Sequence, residues 1–263
     1  MFPFPTIPPS NKTASFIYRP SFSSLYAFIS ASTGQVSLPS DVTVKSGDIL
    51  IARQVAADAS YSTLPNFNNF GGTGFTVAAG VVNTLSGNKV HVANISYKVC
   101  NGTETNTTIG GFMSSSTDGY AVTDGSVFLV RPNYTYTNFN VYSTDSVGTN
   151  NTSGTITTKS PKDSDTPFSS SSGATIIVSI GLKSGGSGFV SRSPEFSSFS
   201  NEFRNFNSST SLSAGNDSGF MIERSTMLVS QAAGEHQQQT NSITLSSIHT
   251  STCLTSAVFE IVE

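Results

Sequence analysis

The sequence predicts an all-β protein: an antiparallel β-sandwich, jelly-roll-like, with long loops and at most one short helix. Three observations carry this. First, residues 46–57, SGDILIARQVAA, open on the turn pair Ser46-Gly47 and lead into the apolar run Ile49-Leu50-Ile51-Ala52. A short apolar run bounded by turn residues reads as a central strand buried on both faces. Second, the same grammar returns at residues 172–182, SGATIIVSIGL, as the middle of a second sheet would require. Third, no long segment shows a 3.6-residue apolar period, because Gly or Pro interrupts most windows. About a dozen short strands, set off by turn signals at intervals of roughly 8–12 residues, complete an antiparallel pattern.

Taken in order, residues 1–20 form an extended Pro-rich arm, and residues 21–263 form a single sandwich domain. Proline blocks both helix and ladder in the arm. Its aromatic and apolar side chains, Phe2, Phe4, Ile7, Phe16 and Tyr18, with Pro3 and Pro5 between them, need cover. That cover is either the chain's own domain or a partner, so these seven residues are candidates for partner docking. Short strands follow at residues 25–29 and 35–38 and at Val42 and Val44. The long loop at residues 56–74 is rich in Asn, Gly and Pro. Tyr61, Phe67 and Phe70, with Phe75 just beyond, are either its anchors to the core or the stacking platform of a ligand loop.

Residues 90–100 alternate, with a change of parity at Ala93-Asn94 that suggests a β-bulge. His91 interrupts this strand and is expected to face solvent. Asn101-Gly102 is a hairpin signal, with residues 103–109 returning as the paired strand. Residues 126–130 close this half. Strands at residues 138–142 and 155–158 continue the pattern, and the second central strand follows. Ser193-Pro194-Glu195 ahead of Phe196, Phe199, Phe203 and Phe206 fits a short amphipathic helix or a Phe-pinned loop. Strands at residues 220–229, 242–245 and 257–262 finish the chain. A division into two small domains near residues 143–160 is the alternative to one sandwich.

Composition narrows the function. Charged residues make up 11% of the chain and the net charge is −3, against roughly 25% charged residues in an average domain. With no basic patch, nucleic acid is not an expected partner. No run approaches the roughly 20 apolar residues of a membrane span, and residues 1–10 lack the basic and apolar regions of a signal peptide. Asn-X-Ser/Thr triplets, such as those at Asn94 and Asn133, are what chance yields in a chain this rich in Asn, Ser and Thr. The two cysteines, Cys100 and Cys253, are expected as free, buried thiols.

No catalytic constellation emerges, and the chain is expected to be no enzyme. His91, His236 and His249 lack zinc spacing, and no nucleophile elbow, P-loop or dinucleotide fingerprint is present. Asp163 and Asp165 read as a solvated turn, since the rest of a calcium loop is missing. Neither a metal nor a cofactor is expected.

From residue 42 to the C-terminus, short motifs recur in a recognisable order. Gly47-Asp48-Ile49-Leu50-Ile51-Ala52 starts a strand, and a Pro/Gly-rich aromatic loop spans residues 65–75. Tyr97-Lys98-Val99 ends a strand, Gly102-Thr103-Glu104 turns into a Thr-rich one, and residues 175–182 follow a Ser-Gly turn. The order resembles a β-sandwich module of tailed-bacteriophage virion proteins, found in tail, fibre and capsid-accessory components. That family pattern carries a Trp after the Pro-Gly loop. This chain has none, so Phe67, Phe70 or Phe75 stands in its place.

The resemblance implies a non-enzymatic virion part. The arm would dock on other virion proteins while the sandwich faces out, and association into an oligomer would cover strand edges. A homotrimer would suit a fibre or a capsid three-fold site. The alternative is a receptor- or carbohydrate-binding adhesin module. In that case Tyr61, Phe67, Phe70 and Phe75, or Tyr134, Tyr136 and Tyr142, would stack on a host-surface glycan. A hydrolase on the same scaffold is the weakest reading, since no paired acids occur in a recognisable setting.

Overall fold

The computed structural model describes the backbone of residues 14–18, 27–29, 35–36, 40–60, 74–84, 89–104, 110–111, 121–142, 145–160, 168–170, 173–184, 189–195, 204–214, 217–231, 234–236 and 239–262; within these, side chains are described for residues 40–53, 74–83, 91–104, 127–142, 145–149, 156–158 and 253–262. The described residues are all-β, with antiparallel pairing throughout and no helix. None of them therefore forms a helix long and apolar enough to cross a membrane.

The first sheet is built around β4 (Ser46–Ser60), which lies between β8 (Ala121–Pro132) and β6 (Lys89–Asn101). Outside these lie β1 (Ala14–Tyr18) and β5 (Thr76–Thr84), and β2 (Ala27–Ile29) also pairs with β8. Ile49, Leu50 and Ile51 are each fully buried. Ile49 and Ile51 join one core cluster, while Leu50 and Ala52 join another with Val127 and Leu129. The run at 49–52 is thus central and covered on both faces, as its composition requires. Each full burial stabilises by about 1.5–3 kcal/mol.

The second sheet comprises β10 (Asp145–Ser160), β17 (Gln239–Val262), β12 (Gly173–Ser184), β15 (Asp217–Gln231) and β14 (Arg204–Ala214), in that order. β9 (Asn138–Val141) and β13 (Phe189–Glu195) also pair with β17. The middle position of β12 matches the expectation for residues 172–182. Two small pairs, β3 (Gln35–Val36) with β7 (Gly110–Gly111) and β11 (Phe168–Ser170) with β16 (Gly234–His236), complete the described strands.

The buried residues of the two sheets meet. Ile49, Ile51, Ala93, Ile95 and Val130 of the first sheet cluster with Cys253, Ala257, Phe259 and Ile261 of β17. Tyr97 on β6, Phe139 on β9 and Phe259 form an aromatic triangle with centroids 5.2–5.6 Å apart. Asn83 Nδ2 on β5 donates to Thr149 O on β10 at 2.9 Å. Beside it Gly148 lets the backbones close in, since a Cβ there would meet Val81 Cγ2 at 3.0 Å.

Several expectations need correction. The large sheets do not exchange strands, as a jelly roll does: the described strands of the first come from residues 14–132 and those of the second from 138–262. His91 is fully buried rather than solvent-facing, because β6 is covered on both faces. For the same reason Ala93-Asn94 needs no bulge: the register with β4 and β5 runs through it unbroken, and the slips nearest it are on its neighbours, between Val77 and Ala79 of β5 and between Ala56 and Ala59 of β4. Asn101-Gly102 ends β6, where β4 pairs as far as Asn101 and β5 as far as Tyr97, and Thr103 and Glu104 beyond it carry no strand structure. Residues 105–109 lie outside the described residues.

Val42 and Val44 precede β4 without strand structure; Val44 is buried beside Leu50. The expected helix start, Ser193-Pro194-Glu195, lies in β13, and Phe206 lies in β14. Among the described residues β13 pairs only with β17, and proline is tolerated on such an edge. Residues 196–203 are outside the described residues. The two strands expected at 242–245 and 257–262 are parts of one, β17.

Candidate functional site

The first sheet breaks its regular pattern at the start of β4. Ser46 pairs with Asn101 and Ile49 with Val99, so Gly47 and Asp48 together face Cys100 alone. Two residues opposite one is a β-bulge, and bulges re-aim side chains. Gly47 has φ 84°, in the left-handed region that glycine enters at little cost. Around this bulge lies a cleft of about 530 Å³. Residues 45–48, the end of β6 at Val99-Cys100 and the end of β8 at Arg131-Pro132 form three of its walls, and Tyr134, Thr135 and Tyr136 form the fourth.

Asp48 is the polar centre of this region. Its carboxylate is 1% exposed and accepts from Arg131 Nε at 2.7 Å, from Arg131 Nη2 at 2.6 Å and from the Lys45 backbone N–H at 2.7 Å. The Asp48 N–H donates back to Lys45 O at 3.1 Å, closing a local turn. Arg131 Nη2 also donates to Thr43 O at 2.9 Å. This fork-to-carboxylate geometry is the strong form of an ion pair. The hydrogen bond to Asp48 raises the guanidinium pKa further, outweighing the opposite effect of burial.

The tyrosines are held by their hydroxyls. Tyr136 donates to Gly47 O at 3.1 Å and Tyr134 to Ile261 O at 2.8 Å. The second bond ties the connection between β8 and β9 to β17. Burial raises the Tyr136 pKa, with smaller contributions from Cys100 and Asp48. Cys100, also in the cleft wall, is 3% exposed. Burial first, then the charges of Glu104 and Asp48, push its thiol up to about 12. It is therefore protonated at neutral pH and a poor nucleophile.

Two further polar clusters flank the core. Glu104 accepts from the backbone N–H groups of Asn101 and Gly102 at 3.1 and 2.9 Å and pairs with Lys98 at 3.2 Å. Glu260, 2% exposed, accepts from Tyr142 OH at 2.6 Å and from Asn140 Nδ2 at 3.2 Å. Burial raises the Tyr142 pKa, and the adjacent Glu260 carboxylate raises it further. Among the described residues no three His, Cys, Asp or Glu side chains gather as a metal site.

Few of the candidates named from sequence fall among the described residues. Phe16 and Tyr18 are in β1, where Phe16 pairs with Val130 and Tyr18 with Leu129. Phe2, Pro3, Phe4, Pro5 and Ile7 lie outside the described residues, as do Tyr61, Phe67, Phe70, Asp163 and Asp165. Phe75 packs half-buried against the cluster of Val44 and Leu50. His236 is in β16 and His249 in β17. Both cysteines are free and buried, as expected. Of the three tyrosines proposed to stack on a glycan, Tyr134 and Tyr136 share the cleft, while Tyr142 bonds to Glu260. Sequence reasoning missed Lys45, Asp48 and Arg131. Ser46-Gly47-Asp48 was legible as a strand start, but its partner stands 83 residues away.

No family model, curated protein or solved structure matches the chain.

Proposed function

We propose that the chain is a non-enzymatic structural component of a tailed-phage particle, a β-sandwich that docks on other virion proteins through its N-terminal segment. The observation that carries docking is the position of β1. Among the described residues it pairs only with β8, which leaves it at the edge of the first sheet as described, and it begins at Ala14. The Pro- and Phe-rich residues 1–13 are therefore tethered to a sheet edge, within a fully extended reach of about 45 Å. Phe16 and Tyr18 belong to the root of the arm. Phe2, Pro3, Phe4, Pro5 and Ile7 belong to the part that docks.

The core residues contributed by both sheets and the bond from Asn83 to Thr149 support the sandwich. The virion setting rests on the motif order from residue 42 onward. Structural use of the polar groups favours a non-catalytic role: Asp48, Glu104 and Glu260 each hold neighbouring chain in place.

Deleting residues 2–13 while keeping β1 tests docking. The truncated protein should unfold at the same urea concentration as the full chain but fail to enter particles. Incorporation at the full-length level would refute docking by this segment.

A further inference from the structure

The cleft at the β4 bulge has more recognition chemistry than its structural role uses. Asp48 consumes Arg131 Nε and one side of the fork, and Thr43 O takes another Nη2 contact. Arg131 Nη1 keeps two N–H groups with no partner among the described residues. Lys45 is exposed, and its ammonium has no partner among the described residues either. The wall thus sets two cations against one carboxylate, an excess of one positive charge in a chain whose net charge is −3. Beside these cations stand the half-buried rings of Tyr134 and Tyr136, fixed by their hydroxyl bonds, and the exposed Thr135. Val99, 43% exposed, adds an apolar patch to the same cleft.

We propose that this cleft binds an acidic saccharide unit, a pyranose bearing one carboxylate. The carboxylate would take the free N–H groups of Arg131 and the ammonium of Lys45, a charge-assisted arrangement. The C–H face of the sugar ring would lie against the tyrosines, and its hydroxyls would exchange hydrogen bonds with Thr135. A cleft of about 530 Å³ is within the usual range for a small-molecule site, and its fixed rings and fork reduce the ordering cost of binding. This site is independent of docking by residues 2–13, and the isolated full-length chain suffices to test it.

The experiment is an amide NMR titration of the full chain with D-glucuronate, D-glucose and acetate, repeated on Lys45→Gln. Lys45 is exposed and its side chain makes no bond among the described residues, so the variant is expected to keep the fold. Glucuronate should bind saturably in the millimolar range, moving amides at residues 45–48, 99–100, 131 and 133–136. Lys45→Gln should weaken it about threefold or more, and glucose and acetate should each bind at least that much more weakly. Any of four results would overturn the proposal: no saturable shift with glucuronate; shifts confined to other residues; unchanged affinity in Lys45→Gln; or equal affinity for glucose or for acetate. The last would mean a neutral-sugar site or a bare anion site.

Discussion

Replacing Tyr97 and Phe259 by leucine, singly and together, asks whether the two sheets share one core. Tyr97 belongs to β6 of the first sheet and Phe259 to β17 of the second. Their rings meet edge to face, with centroids 5.6 Å apart and planes at 61°. Phe259 also stacks on Phe139 at 5.6 Å and 15°. Phe259 is fully buried, and an aromatic-to-leucine change there removes ring contacts and leaves a partial cavity. The single change at 259 should cost about 2–3 kcal/mol, below the 3–5 kcal/mol typical of truncation to alanine. The informative quantity is the coupling. An edge-to-face pair contributes about 0.5–1.5 kcal/mol beyond its buried area, so the double variant should be less destabilised than the sum of the singles by about that amount. Urea unfolding of the four proteins, followed by far-UV circular dichroism, supplies the cycle. A coupling within about 0.3 kcal/mol of zero, or two separate unfolding transitions, would refute a shared core and favour two independent domains.

Other outcomes follow from single sites. Burial alone would raise the Glu104 pKa, but hydrogen bonds from its own N–H, from Asn101 and Gly102 and from Lys98 lower it below the ordinary 4.5. Its contribution is then present above pH 4.5 and lost as the pH falls through the depressed folded value; Glu104→Gln should flatten that part of the stability–pH curve. Cys100 and Cys253 are buried, and desolvation pushes both thiols to about 12. A thiol reagent at pH 8 should therefore label neither in the folded chain and both in urea. Gly102 has φ 88°, and a Cβ there would meet Ser46 N at 2.9 Å. Gly102→Ala should cost about 1–2 kcal/mol or more, read as a lower urea midpoint.

What was legible in the sequence is what composition alone dictates. The runs at Ile49-Leu50-Ile51 and Ile176-Ile177-Val178 are apolar on both parities, so they had to be central. Residues 155–158 of β10 were legible, but its first half and the middle of β17 were not, because Asn150, Thr152, Ser251 and Thr252 carry no apolar alternation; the pairing of the two strands there is set by backbone register. His91 was misread because one-sided alternation was assumed for a strand that is covered on both sides. The Ser193-Pro194-Glu195 motif has the local chemistry of a helix start, yet the edge of β17 captures it as strand. The cleft lay beyond reach for a different reason. Its turn at Lys45 to Asp48 is local, but Arg131 and Tyr136 arrive through strand pairing 80 or more residues away, and no spacing rule encodes that.

The proposed docking on a particle is tested most directly by gold-labelled antibody against the chain, applied to particles purified from the lysate or culture that produces it. Regular label on intact or gently disrupted particles, lost when residues 2–13 are deleted, is the result expected. Particles that carry no label in either state would contradict a virion role.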